Sequence, residues 1–307
     1  MSKSWQELPE GSRVRLDNAA CAYCHKPFDA QFKPEQEHVI GRRFVPKGSL
    51  AGQWNVIVNS CRACNEAKSR LENDLSAIIM RPEPWGRDPP DTLRIEEARR
   101  KESSRSARTG KAVRDSSEEF RVSHQIMPGV QMSVNFVSGP QFEPHRANQL
   151  ACFQISALFY WLTYNQEQRR GAGIPHGFWP INGALRPDWG NALLRGFQDQ
   201  ISDWPWRVHA IGADGYFKAI IRRHPDEAVP LWAWALEWNK SYRSAGYFGD
   251  LDAAQALCNA LPPLKRRIIE RGVDSQIGPF ESSMREEVAL PPEDDTLFDQ
   301  PPDAMCA

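Results

Sequence analysis

The sequence predicts an α+β fold, and three observations carry that prediction. Two C-x-x-C pairs, Cys21/Cys24 and Cys61/Cys64, bracket two short strand-like runs and open a helix. Beyond about residue 118, alternating β-branched segments surround one long apolar helix. Charge divides the chain into parts: residues 1–114 carry net +6, residues 115–285 net 0 and residues 286–307 net −7. The expected order is a zinc-stapled ββα unit over 1–80, a basic and proline-rich linker over 81–117, a mixed α+β domain over 118–285 and a disordered acidic tail over 286–307. A chain of 307 residues with 41% hydrophobic and 25% charged side chains has the usage of a soluble globular protein. Its formal net charge of −1 excludes a uniformly basic, histone-like binder and an acidic disordered chain. The longest apolar run, 151–164, is interrupted by Gln154, Ser156 and Thr163 and is too short to span a bilayer. The opening MSKSWQELPEGSR lacks the apolar core of a signal peptide, so a cytoplasmic location is expected.

The chain has seven cysteines, an odd number in a sequence without a signal peptide, which argues against a disulfide framework. Each C-x-x-C pair presents two sulfurs from one tight turn, and two such knuckles complete a tetrahedral four-sulfur site suited to zinc. The alternative, four unrelated buried cysteines, does not account for two pairs at metal-ligand spacing. His25, directly after the first knuckle, is a competing fourth ligand. Cys152 and Cys258 read as core, and Cys306 lies in the tail. The 36 residues between the knuckles leave room for folded structure: a strand at 37–40, a loop containing glycine and arginine at 41–53, and a strand at 55–58. The second knuckle opens a helix over 64–77.

Residues 81–93 hold four prolines and read as a connector. Residues 94–114 hold eight basic side chains against three acidic ones. Their first half reads as helix and their second half does not, and the segment is either a solvated linker or a strap on a phosphate backbone. FRVSHQIM and VQMSVNFV read as a hairpin around Pro128-Gly129. Residues 145–170 read as a buried helix. WRVHAIG and YFKAIIRR read as two strands around Ala213-Asp214-Gly215, with LWAWALEW as a third. Eight of the eleven tryptophans fall between 161 and 238; such a concentration forms a core or, less often, a stacking face. The acidic, proline-rich end reads as a solubilising tail, with a docking peptide at DDTLF or a DNA mimic as the functional alternatives.

The run from Cys21 to Lys68 resembles the HNH endonuclease superfamily, in the branch where two zinc knuckles flank a ββα-metal motif. The matching features are the acidic–His pair Glu37-His38, Asn55 opening the second strand, and C-x-x-C-N-x-x-K from Cys61 to Lys68. The resemblance covers residues 15–80, about a fifth of the chain. It implies a metal-dependent endonuclease that hydrolyses DNA phosphodiester bonds, with zinc as a structural ion and Mg²⁺ or Mn²⁺ as the catalytic one. By the same resemblance His38 is the general base, Glu37 and Asn65 hold the catalytic cation, and Asn55 bridges the loop and orients His38. Asn59 competes for the asparagine role, because five residues separate Asn55 from Cys61. Glu37 stands where the family often has Asp or His, and Asn65 where it often has His.

The chemistry agrees with these assignments. Hydrolysis of a phosphodiester needs an activated water, neutralised nonbridging oxygens and help for the departing 3′ oxygen. A histidine titrates near neutral pH and suits the first task. A hard cation takes oxygen ligands and suits the second. Arg42, Arg43 and Lys47 in the loop, and Lys68 one turn beyond Asn65, are the expected phosphate contacts. Adjacent residues on a strand face opposite ways, so Glu37 and His38 share a site only at a strand end or bulge. The competing function is a non-catalytic zinc module that binds nucleic acid or protein. The neutral 118–285 part is expected to take a protein partner or small-molecule trigger, as in an effector of a bacterial defence or restriction system.

Overall fold

The computed structural model describes residues 6–7, 13–82, 89–106, 108–116, 118–138, 142–264, 266–270, 281–285 and 287–299. Part of the expected connector (83–88) and the last residues, with Cys306, lie outside the described residues. The fold is mixed α+β, as its sequence predicts. The strands are β1 (Gln6–Glu7), β2 (Arg13–Arg15), β3 (Pro34–His38), β4 (Asn55–Cys61), β5 (Glu118–Met127), β6 (Val130–Ser138), β7 (Phe178–Leu185), β8 (Trp206–Gly212), β9 (Phe217–Arg223), β10 (Leu231–Trp238), β11 (Tyr242–Gly249), β12 (Arg266–Glu270) and β13 (Glu281–Arg285). The helices are α1 (Arg62–Ile79), α2 (Thr92–Lys101), α3 (Pro144–Leu162), α4 (Ala192–Gln200) and α5 (Leu251–Ala260).

Near the N-terminus a three-stranded sheet runs in the order β2-β4-β3, with β3 antiparallel to β4. β4 passes directly into α1 through Cys61 at the helix N-cap. The larger sheet has six strands in the order β1-β8-β9-β10-β11-β7. From β8 to β11 it is an antiparallel meander, whose first turn holds Ala213 and Asp214 at positive φ and whose last holds Asn239 and Lys240 likewise. β1 adds to its edge in parallel with β8. The two-stranded pairs β5-β6 and β12-β13 stand apart from both sheets.

Each face of the large sheet carries a core. On one face Val208, Ile221, Trp234, Leu236 and Phe248 pack with α3 residues Leu150, Ile155 and Phe159, and the same buried cluster continues into Val56, Val58, Leu71 and Leu75 of the N-terminal unit. α3 is thus covered on both sides, which is why it is apolar nearly all round. On the opposite face Ile220, Ala233, Ala235, Ala245 and Tyr247 lie under Leu194 and Phe197 of α4 and Ala254 of α5. Six of the eight clustered tryptophans are buried (Trp161, Trp189, Trp204, Trp206, Trp234 and Trp238), so their concentration serves the core. No helix among the described residues is long and apolar enough to cross a membrane.

Two expectations are corrected. The helix expected over 145–170 stops at Leu162. The Thr163 hydroxyl turns back to the Phe159 carbonyl at 2.8 Å, and Asn165 pairs with Arg170 across a tight turn that holds Arg169 at φ 50°. The acidic tail is folded, not disordered, over 287–299. Leu297 and Phe298 are 3% and 5% exposed and join the second core, and Asp295 reaches the guanidinium of buried Arg243 at 2.7 Å. An acidic composition argues for disorder only where nothing apolar is buried, and here two adjacent apolar side chains find a groove.

Candidate functional site: a four-cysteine centre beside a buried charge cluster

The knuckles meet as their spacing demands. The sulfurs of Cys21, Cys24, Cys61 and Cys64 all lie within 4.8 Å of one another, and the Cys24–Cys61 pair is 3.9 Å apart. Four zinc–sulfur bonds of about 2.3 Å at tetrahedral angles place sulfurs just under 4 Å apart, so the set fits zinc. The Cys61 amide donates to the Cys21 sulfur at 3.3 Å, which holds the first knuckle against the end of β4. Burial, followed by the Cys61 hydrogen bond and the charges of the other three sulfurs, pushes the Cys64 thiol well above its ordinary value. Four thiolates this close need a cation to coexist. His25 is not in the set: its ring stacks on Tyr160 with centroids 5.8 Å apart. Asn18, which the motif did not flag, ties the knuckle to the sheet. Its side chain donates to the Asn59 carbonyl at 2.7 Å and accepts from the Asn59 amide at 2.8 Å, while Asn59 returns a bond to the Asn18 carbonyl at 3.0 Å. Asn59 is therefore committed to the knuckle.

Asn55 bridges the loop. Its Oδ1 accepts from the Ile40 amide at 3.1 Å and its Nδ2 donates to the Ile40 carbonyl at 2.8 Å. These two bonds hold the backbone two residues beyond His38 against the start of β4. His38 ends β3 and is half-buried. Burial, then the positive charges of Arg42, Arg13 and Lys68, hold its imidazole below the ordinary histidine range. Arg42, Arg43 and Lys47 are exposed in the loop that follows. The loop is gripped from elsewhere in the fold. The Arg43 carbonyl accepts from the buried Lys101 ammonium of α2, and the Phe44 carbonyl accepts from Asn239 Nδ2 at 3.1 Å in the β10–β11 turn. The Phe44 ring meets Trp238 edge-on.

Glu37 and Lys68 are placed differently from what the motif implies. Glu37 is 5% exposed and faces α1. One carboxylate oxygen accepts from Lys68 Nζ at 2.7 Å and the other from the Tyr23 hydroxyl. Lys68 is fully buried and also donates to Glu72 at 2.6 Å and to the His38 carbonyl at 3.0 Å. Burial works against the ammonium charge, and the two carboxylates more than offset it, so Lys68 is held above its ordinary value. The expected phosphate contact at Lys68 is therefore corrected: its three donors are satisfied inside the protein. Asn65, half-buried at the start of α1, donates to Glu35 at 2.9 Å rather than facing Glu37. Glu37 and Asn65 do not fit a shared Mg²⁺ or Mn²⁺ in this arrangement, because the lysine ammonium already neutralises the carboxylate. Among the described residues, the cysteine set is the one group of three or more Cys, His, Asp or Glu side chains arranged to hold an ion.

The structure gathers the four cysteines that sequence reasoning picked out, while Tyr23, Glu72, Lys101 and Asn239 were missed. Only Glu72 left a readable signal, four residues after Lys68 on one helix face. The others come from distant segments. Compared with family models, with curated proteins and with solved structures, the chain finds no match.

Proposed function

We propose that the 13–79 unit is a DNA endonuclease of the HNH type, with His38 as the general base and zinc as a structural ion. The observation that supports it best is the setting of His38: at a strand end, half-buried, and held below its ordinary pKa beside Arg42 and Arg13. Such an imidazole is neutral near pH 7 and offers a lone pair next to cations that attract phosphate. His38 accepts a proton from water, the resulting hydroxide attacks phosphorus, and the 3′ oxygen departs and takes a proton from solvent, leaving 5′-phosphate and 3′-hydroxyl ends. Asn55 acts by positioning, through Ile40. Arg42, Arg43 and Lys47 meet the backbone. Glu37 acts from inside, by fixing Lys68 and thereby the His38 carbonyl.

Supercoiled-plasmid nicking tests this reading, run with Mg²⁺, Mn²⁺ or Ni²⁺ and with none. The wild-type chain should nick, and His38→Ala should lose about 10²–10⁴-fold while keeping its zinc content and melting temperature. Undiminished cleavage by His38→Ala would remove the assignment.

The buried Glu37–Lys68–Glu72 cluster favours a second reading, a non-catalytic zinc module that docks nucleic acid or protein. DNA retardation on gels without cleavage under any of those ions would select it. We further propose that the nuclease is an effector of a bacterial defence or restriction system whose 118–285 part receives the trigger. The grip of the β10–β11 turn on the 41–53 loop supports the coupling between the two parts that such a trigger requires. Addition of nucleotides or candidate partner proteins should change the nicking rate.

A further inference from the structure

We infer that the groove holding residues 294–298 is a peptide-recognition site, occupied in cis by the chain's own D-D-T-L-F and fitted to a partner segment of the same chemistry: two acidic residues, a spacer and an aliphatic–aromatic pair. The groove begins with a row of charges on one sheet face. Lys218, Glu237 and Arg243 are cross-strand neighbours on β9, β10 and β11. Lys218 Nζ meets Glu237 at 3.2 Å and Arg243 meets it at 2.7 Å, leaving the row one positive charge in excess. Asp295 supplies the missing negative charge, at 2.7 Å from the same guanidinium, which also stacks 3.7 Å over Trp189. Arg243 is 2% exposed beneath the tail.

Recognition continues residue by residue through side chains. Asp294 pairs with Arg195 at 3.0 Å. The Thr296 hydroxyl accepts from Gln198 at 2.8 Å. Leu297 and Phe298 share a buried cluster with Ala233, Ala235 and Ala245, small residues that leave room on the sheet face. The Phe298 ring lies 5.6 Å from Lys218 Nζ and 5.4 Å from the Arg243 guanidinium, and its carbonyl sits 3.0 Å from His209 Nε2. Contacts of this kind read the sequence of a short segment, with charge complementarity at one end and an apolar anchor at the other. The groove is assembled within 189–245, some fifty residues before the segment that fills it, so it does not depend on local chain continuity with the tail. A tethered tail acts at an effective concentration of the order of millimolar. A free partner must therefore either outbid the tail or act when the tail is weakened.

A fluorescein-labelled peptide of residues 290–299, LPPEDDTLFD, tests the assignment by fluorescence polarisation. The full-length L297A/F298A chain, whose own tail has lost its anchor, should bind the peptide at least tenfold more tightly than the wild-type chain does. Peptides carrying Phe298→Ala or Asp295→Asn should each bind the opened chain at least tenfold more weakly. If L297A/F298A fails to fold, the full-length Asp295→Asn chain keeps the apolar anchor, loosens only the ion pair, and should show the same ordering against wild type. A folded opened chain that ignores the peptide, or that binds the Phe298→Ala peptide equally well, would overturn the proposal. A doubled mass by light scattering for the wild-type chain that falls to the monomer mass in L297A/F298A would put a second copy's tail in the groove and overturn the occupancy in cis.

Discussion

At the residue scale the charge cluster behind His38 has measurable consequences. Lys68 bridges Glu37 and Glu72, and all three are buried. Truncating one partner of a buried ion pair leaves the others uncompensated, at a cost of about 3–5 kcal/mol. Lys68→Met should therefore lower the unfolding free energy at pH 7, read from urea titration, by that order. The loss should be smaller at pH 5. Burial, and after it the neighbouring Glu37 charge, already raise the Glu72 carboxyl above its ordinary value. A carboxyl with a raised folded pKa binds more protons folded than unfolded, so stability rises as pH falls through that window. Without Lys68 the window widens, and Lys68→Met should gain on wild type as the buffer is acidified. An equal deficit at pH 5 and pH 7 would show that Lys68 acts through packing alone. His38 titrates the other way. Its value is lowered by burial, then by Arg42 and Arg13, so it stays neutral below the usual histidine midpoint. The acid limb of the nicking rate, which reports loss of the unprotonated base, should have its midpoint below 6.5.

At the element scale, the ββα unit is two strands and a helix joined at Cys61, and the sulfur centre and the Asn18–Asn59 clamp tie its first knuckle to the end of β4. Cys64→Ser should drop zinc from one equivalent to none by elemental analysis, and it should loosen the 18–28 segment first. Hydrogen exchange would register that as faster exchange at the Ala22 amide, which donates to the Asn59 carbonyl, than at amides of β10. This unit was also the most legible in the sequence, because knuckle spacing, strand alternation and helix onset are local signals. Three strands of the meander were legible for the same reason, since WRVHAIG, YFKAIIRR and LWAWALEW announce β8, β9 and β10, whereas β11 was not foreseen. What escaped was set by tertiary partners. Nothing within 287–299 says that Leu297 and Phe298 will find Ala233 and Ala245. Nothing near Glu37 in sequence says that its carboxylate will be claimed by Lys68 and Tyr23 rather than left for a cation. A motif places residue types in order, and the side chains packed around them decide which groups remain free to do chemistry.

At the scale of the whole molecule, the basic N-terminal part and the neutral sheet do not behave as beads on a string. One buried cluster runs from Leu16 and Val56 through α3 to Trp234 and Phe248. Polar ties cross the same boundary: Asp74 to Arg146 at 2.7 Å, Asp91 to Tyr216 at 2.8 Å, Gln53 to Asp214 at 3.1 Å and Asn239 to Phe44 at 3.1 Å. α3 is the shared element, since it packs on α1 and β4 from one side and on the large sheet from the other. Loss of the zinc centre should therefore be felt by the sheet, whose tryptophans Trp234 and Trp238 are fully buried against α3 and the loop. Heating the zinc-loaded chain should give one transition, seen at the same temperature by tryptophan fluorescence and by far-ultraviolet circular dichroism. Chelation of the metal should move that single transition down by several degrees, in proportion to the zinc binding free energy that folding captures. Two transitions, with the fluorescence step unmoved by the chelator, would instead mean that the sheet is stable without the N-terminal unit. A trigger bound to the sheet would then have to reach His38 through the turn at Asn239 alone, and not through a common core.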